Sequence, residues 1–207
     1  MKRKADIIAM LKAQIANGTF RIKHLKSFET ADGPKIRTVQ APSVIERVGS
    51  NAIMEIVEKH LAPILIENTA ASIEGRGPHG LYHKMQEARR NNPKLIYYYQ
   101  SDYKGYYDHI LHDRLIEIIK RYIADPVLLP ILIDFVKALH PNDNVGISKG
   151  LRSSQFFGNL YHNDIDHAMI EECGKDNYNR FCDDIYILGD NKKELWKHRD
   201  TLHRLCK

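Results

Sequence analysis

Three aspartates at the ends of β-rich runs constrain this chain more than any other feature. The run Leu95-Ile96-Tyr97-Tyr98-Tyr99 leads directly to Asp102. Further on, Asn177-Tyr178-Asn179-Arg180-Phe181 and Ile185-Tyr186-Ile187-Leu188 flank Cys182-Asp183-Asp184, so they read as the arms of a hairpin with carboxylates at its tip. Pairing these strands would bring like charges to one sheet end. Such carboxylates repel unless cations lie between them, and two Mg²⁺ ions about 3.5–4 Å apart would activate a hydroxyl and stabilise a phosphate leaving group. An Asp-Asp pair alone also suits a turn or a helix cap, so the surrounding sequence has to decide. Because neighbouring strand residues face opposite ways, Asp102 and Asp183 are the principal ligands expected and Asp184 a secondary one.

The rest of the chain alternates helices and strands without a repeat. Ile7, Ile8, Leu11 and Ile15 have helical spacing over residues 5–16, and Asn17-Gly18 ends that helix. Phe20-Arg21-Ile22-Lys23 and Lys35-Ile36-Arg37-Thr38-Val39 alternate polar with apolar around Asp32-Gly33, which predicts a basic hairpin. Ser43 with Glu46 forms a capping box for a helix reaching residue 61, with Ile45, Val48, Ile53, Ile56 and Val57 as its core stripe. A helix is expected over 81–90, a buried strand over 95–99, and helices over 110–122, 127–139, 151–172 and 192–205.

Charge is unevenly placed. Residues 1–60 hold 11 Lys/Arg against 6 Asp/Glu, whereas residues 161–190 hold eight acids against Lys175 and Arg180. A basic region attracts polyanions and an acidic one needs cations, a combination suited to a nucleic-acid enzyme that holds divalent metals. The most apolar stretch, residues 127–136, is interrupted by Pro130 and Asp134 and is too short to cross a membrane. Cys173, Cys182 and Cys206 lack CxxC spacing and suit reduced thiols, hence a cytoplasmic location. His79 and His83 share a helix face without the Glu or Cys company of a zinc site, and Gly75-Arg76-Gly77 is too short for a dinucleotide loop.

Four motifs in order resemble those of reverse transcriptases. Asp102 with Tyr107 five positions on is similar to the first palm motif, and Phe181-Cys182-Asp183-Asp184 to the aromatic-x-Asp-Asp motif. Between them, Gly146-Ile147-Ser148-Lys149-Gly150-Leu151-Arg152-Ser153-Ser154-Gln155 resembles the Gly-loop-helix motif; Lys35-Ile36-Arg37 with Ala41-Pro42 and Arg47 resembles the fingers motif. The Ser154-Gln155 ending, Gly75-Arg76-Gly77 with His79, and Phe157-Gly158-Asn159 look like the enzymes of diversity-generating retroelements. Lys149 departs from that group's usual aliphatic residue and Ser148 from a common Pro.

The resemblance implies an α/β chain of α+β type with polymerase fingers and palm, the antiparallel palm sheet backed by helices. Residues 1–94 would be the N-terminal helix and fingers, interleaved with palm, and residues 95–207 the palm with its catalytic motifs. The family's palm continues past the last helix into a thumb, so the chain is expected to be incomplete at its C-terminus. The implied reaction is RNA-directed DNA synthesis by two-metal phosphoryl transfer, with Asp102, Asp183 and Asp184 holding two Mg²⁺, or Mn²⁺ as a substitute. Lys35 and Arg37, two apart on one strand face, would clamp the triphosphate; Tyr103, Tyr107, Lys149, Gly150 and Gln155 would line the nucleotide site. Tyr107 would exclude the 2′-hydroxyl and Lys149 would touch the nascent pair. Expected partners are an RNA template, a DNA or RNA primer, dNTPs and a basic accessory protein, with no membrane. The competing readings are a retron or phage-defence reverse transcriptase and a truncated, catalytically idle RNA-binding module.

Overall fold

Gly18 has a φ of 67°, a left-handed conformation that ends a helix most easily at glycine. It closes α1 (Lys2–Ala16) in the computed structural model, which describes residues 2–206. There follow β1 (Leu25–Asp32), β2 (Lys35–Pro42), α2 (Val44–Leu61), α3 (Pro78–Asn91), β3 (Tyr97–Asp102), α4 (His112–Tyr122), α5 (Leu128–Lys137), α6 (Arg152–Cys173), β4 (Tyr178–Phe181), β5 (Asp184–Gly189) and α7 (Lys192–Leu205). Short 3-10 turns lie at Ala62–Ile64 and Tyr106–His109. Helices combined with two antiparallel sheets make this the expected α+β class. No helix among the described residues is long and apolar enough to cross a membrane.

Contacts gather the chain into two units. The first comprises the residues up to Leu61 together with Tyr107–Phe157; the second comprises Ala62–Tyr106 together with the residues from Gly158 onward. Each unit joins segments that are distant in sequence.

In the first unit β1 and β2 form the basic hairpin, in register from Leu25 opposite Pro42 to Asp32 opposite Lys35. Its first strand starts later than expected. Residues 20–23 are not a strand, because Phe20 and Ile22 are spent on the core instead: the Phe20 ring meets Phe135 of α5 edge-on at 6.0 Å, and the Ile22 amide donates to Asp134. Gly49 of α2 makes room for Phe20, since a Cβ there would sit 2.4 Å from its ring. Helix α2 opens with the expected capping box, the Ser43 amide donating to Glu46 and the Glu46 amide to Ser43 Oγ. Its buried stripe is Gly49, Ser50, Ile53, Met54, Val57 and Leu61; Ile45, Val48 and Ile56, expected in the core, are exposed.

In the second unit the sheet order is β3-β5-β4. Tyr178, Ile185 and Ile187 turn one face into a core with Ile165, Met169 and Cys173 of α6 and Leu195 and Leu202 of α7. Helix α7 starts at Asn191, whose side chain accepts from the amides of Lys193 and Glu194. β3 pairs only with β5 in that sheet, and Tyr98 is 65% exposed, so the tyrosine-rich run is an edge strand rather than a buried one. Its composition looks central, yet tyrosine tolerates a wet face.

Candidate active site

Phe181 pairs with Asp184, which leaves Cys182-Asp183 as a two-residue turn. Cys182 has a φ of 58°, the sign that the first central position of a type II′ turn requires and that glycine adopts more readily. Holding a residue with a Cβ there costs about 1–2 kcal/mol. The turn delivers Asp184 opposite Asp102 in the β3–β5 register, and directly opposed residues lie on the same sheet face. Thus Asp184 is the acid that faces Asp102 across the strands, whereas the sequence favoured Asp183. Asp183 adjoins it in the turn. Burial raises the Asp184 pKa, and the charges of Asp102 and Asp183 raise it further.

That mutual repulsion is the condition a hard divalent cation relieves, and carboxylate oxygens are its preferred donors, so the three acids fit Mg²⁺ in chemistry. Among the described residues, however, no three His, Cys, Asp or Glu side chains are gathered into a metal-holding set. The carboxylates meet at the strand tips without a finished cage.

Behind the hairpin lies a buried polar network. Arg180 shares the inward face of β4 with Tyr178, and both Arg180 and Asp166 of α6 are wholly buried. Asp166 Oδ1 accepts from Arg180 Nε at 2.9 Å and Tyr178 Oη at 2.8 Å, while its Oδ2 accepts from Arg180 Nη2 at 2.6 Å and Thr69 Oγ1 at 3.3 Å. His162 Nδ1 stands 2.9 Å from Asp166 Oδ1. Burial raises the Asp166 pKa, but the Arg180 charge and then His162 outweigh it and hold the carboxyl well below the usual range. Arg180 Nη1 also donates to Asn159 Oδ1 at 3.0 Å and to the Cys182 carbonyl at 2.7 Å. Tyr103, expected at the nucleotide, has its hydroxyl 2.6 Å from His162 Nε2 and its ring 5.3 Å from that of Tyr106.

The other expected nucleotide residues belong to the first unit. Lys35 and Arg37 are exposed on β2 and share a face by alternation. Tyr107 is half-buried, and its carbonyl accepts from the Ile147 amide, tying it to the Gly146–Gly150 loop. Lys149 Nζ lies 2.8 Å from Asp108 Oδ2. Gly150 packs so closely on β2 that a Cβ would fall 1.6 Å from the Gln40 carbonyl oxygen. Gln40 Oε1 in turn accepts from the Lys149 amide at 3.2 Å. Gln155 is exposed in the first turns of α6.

Reasoning from the sequence missed Arg180, Asp166 and His162. A signal existed: Arg180 alternates onto the same strand face as Tyr178, and His162 and Asp166 are one helical turn apart. The family model described as reverse transcriptase (RNA-dependent DNA polymerase) matches residues 29–207. No curated protein matches the chain.

Proposed function

The chain belongs to the reverse transcriptase family, and from that premise we propose that it extends a primer 3′-hydroxyl with dNTPs on an RNA template by two-metal phosphoryl transfer, within a diversity-generating retroelement. The observation that carries this reading is Asp102 opposite Asp184 with Asp183 beside it at the turn. The retroelement assignment rests on Ser154-Gln155 and Phe157-Gly158-Asn159. In this reading the β1–β2 hairpin serves as fingers and the β3-β5-β4 sheet as palm.

Asp102, Asp183 and Asp184 would hold two Mg²⁺, or Mn²⁺ in their place. Bound there, the ions would favour the deprotonated primer hydroxyl and offset charge on the departing pyrophosphate. Lys35 and Arg37 bind the triphosphate by charge-assisted hydrogen bonds, for which the Arg fork is geometrically suited. The Tyr107 ring turns away a 2′-hydroxyl by bulk. Gly150 keeps the loop against β2, and Lys149 and Gln155 contact the incoming nucleotide from that loop and the helix after it.

Primer extension on a primed RNA template with Mg²⁺ tests the reading. The wild type should extend the primer, and Asp183→Asn should lower the rate by about a hundredfold or more, since metal stabilisation of the transition state amounts to several kcal/mol. Melting of the variant should stay near wild type. Activity retained within about tenfold, or a loss that tracks unfolding, would count against it.

A further inference from the structure

The Arg180–Asp166 pair is a poor investment for stability alone, because apolar residues of similar volume commonly do as well as a buried ion pair. Its connections are more telling. Arg180 Nη1 donates to the carbonyl of Cys182, the residue before Asp183, at 2.7 Å. The Arg180 fork grips Asp166, and Asp166 Oδ1 lies 2.9 Å from His162 Nδ1. His162 Nε2 then lies 2.6 Å from the hydroxyl of Tyr103, the residue after Asp102.

The protons in this chain can be assigned. An ionised carboxylate only accepts, so His162 Nδ1 carries the hydrogen. Burial pushes the His162 pKa down, leaving a neutral ring whose Nε2 accepts, so the Tyr103 hydroxyl donates to it. Cys206 Sγ also lies 2.8 Å from Tyr103 Oη. The assembly is also anchored outside the hairpin. The Arg180 amide donates to the Asn68 carbonyl, the Ala70 amide to the Arg180 carbonyl, and Asn159 Nδ2 to the Ala71 carbonyl.

We infer that Arg180, Asp166 and His162 are positioning residues: a buried hydrogen-bonded brace, running from the residue after Asp102 to the residue before Asp183, that sets the spacing of the three carboxylates and thereby their affinity for divalent cations. The inference rests on the polymerase reading above. Asp184 stands opposite Asp102 in the strand register, and the turn that carries Asp183 bends at an unfavourable Cys182 conformation. The brace reaches both segments that carry these acids.

Three variants test it. Tyr103→Phe removes one hydroxyl and keeps the ring, His162→Gln breaks the next link, and Arg180→Lys keeps the charge but loses the fork that reaches both Asp166 and the Cys182 carbonyl. Mn²⁺ affinity is read from the loss of the free-ion electron paramagnetic resonance signal, without turnover. The Mg²⁺ dependence of primer extension, dNTP KM and thermal melting are measured alongside. Each variant should bind Mn²⁺ about tenfold more weakly, as groups orienting metal ligands commonly do when removed, and should need correspondingly more Mg²⁺ for half-maximal rate. Tyr103→Phe should melt near wild type and keep its dNTP KM, and it carries the test if Arg180→Lys fails to fold. A purely structural role would reduce the folded fraction while leaving Mn²⁺ affinity unchanged, and that result overturns the brace. So does a rise in dNTP KM at unchanged Mn²⁺ affinity, which would return Tyr103 to the nucleotide. A wild type that neither binds Mn²⁺ nor extends a primer overturns the polymerase reading and the brace with it.

Discussion

Asp166 and Asp184 are the same residue type with carboxyls displaced in opposite directions. At Asp166 burial is outweighed by Arg180 and then His162, so the folded pKa is far below the unfolded one; its ionised form adds stability above the ordinary Asp pKa, lost as pH falls toward the folded value. At Asp184 burial, Asp102 and Asp183 all raise the pKa. Its charge therefore opposes folding at neutral pH, and that opposition fades as pH falls through its raised pKa. Asp184→Asn should accordingly melt at or above the wild-type temperature at pH 7 in EDTA, with the difference shrinking as pH falls toward 4. Mg²⁺ should raise the melting temperature of the wild type more than that of the variant. Thermal scans with EDTA and with Mg²⁺ check both statements; a variant that melts clearly lower at pH 7 in EDTA contradicts the repulsion. Tyr107→Ala bears on selectivity. If the ring excludes the 2′-hydroxyl, its removal should shift the dNTP-to-NTP incorporation ratio toward ribonucleotides by about tenfold, equivalent to about 1.4 kcal/mol, whereas a slower enzyme with an unchanged ratio removes that role.

The loop before α6 and strand β2 act as one element through Gly150. A Cβ at this position would stand 1.6 Å from the Gln40 carbonyl oxygen, which is backbone and cannot swing aside. Gly150→Ala should therefore push the loop off β2 and release the Lys149 amide from Gln40 Oε1, a destabilisation of about 2–3 kcal/mol. Urea denaturation with an unchanged m-value measures it, and a loss under about 0.5 kcal/mol would mean that the loop shifts freely. The sequence did not tell that Gln40 comes close to Gly150, since a glycine records the space and not its occupant. Elements defined by local signals were legible: α2 begins at the Ser43–Glu46 box, α7 lies where the helix over 192–205 was expected, and the Asp32-Gly33 signal falls at a hairpin whose turn residues are Gly33 and Pro34, as Cys182 and Asp183 are those of the other. What local pattern could not report was partnership. Residues 20–23 alternate like a strand yet anchor against Gly49 and Phe135. Ile45, Val48 and Ile56 repeat helically yet face outward. The same blindness hid the brace, for Arg180 becomes meaningful only when strand β4 meets helix α6.

Across the whole molecule, the excess of positive charge belongs to one unit, and within it to the segment of residues 1–60. The first unit holds 17 Lys/Arg against 12 Asp/Glu, and the second holds 14 of each, so the entire excess of +5 belongs to the first. The second unit, where Asp102, Asp183 and Asp184 lie, has no net attraction for phosphate before cations bind. Nucleic-acid affinity should thus come from the first unit and persist in EDTA, while catalysis requires the divalent ion. The exposed hairpin offers Lys26, Lys35 and Arg37 on its two strands. If each neutralises one phosphate, replacing all three by Gln should weaken primer-template binding at low salt and reduce the log–log salt slope by up to about 2.7, at about 0.9 per phosphate on a duplex. Anisotropy titrations of a labelled primer-template from low to high salt, in EDTA, give both quantities. Asp183→Asn serves as the contrast, since losing a carboxylate from the second unit should leave the slope where it is while abolishing extension. A triple variant with the wild-type slope would show that the hairpin does not touch the backbone, and the phosphate contacts would then have to come from the first unit's remaining cations.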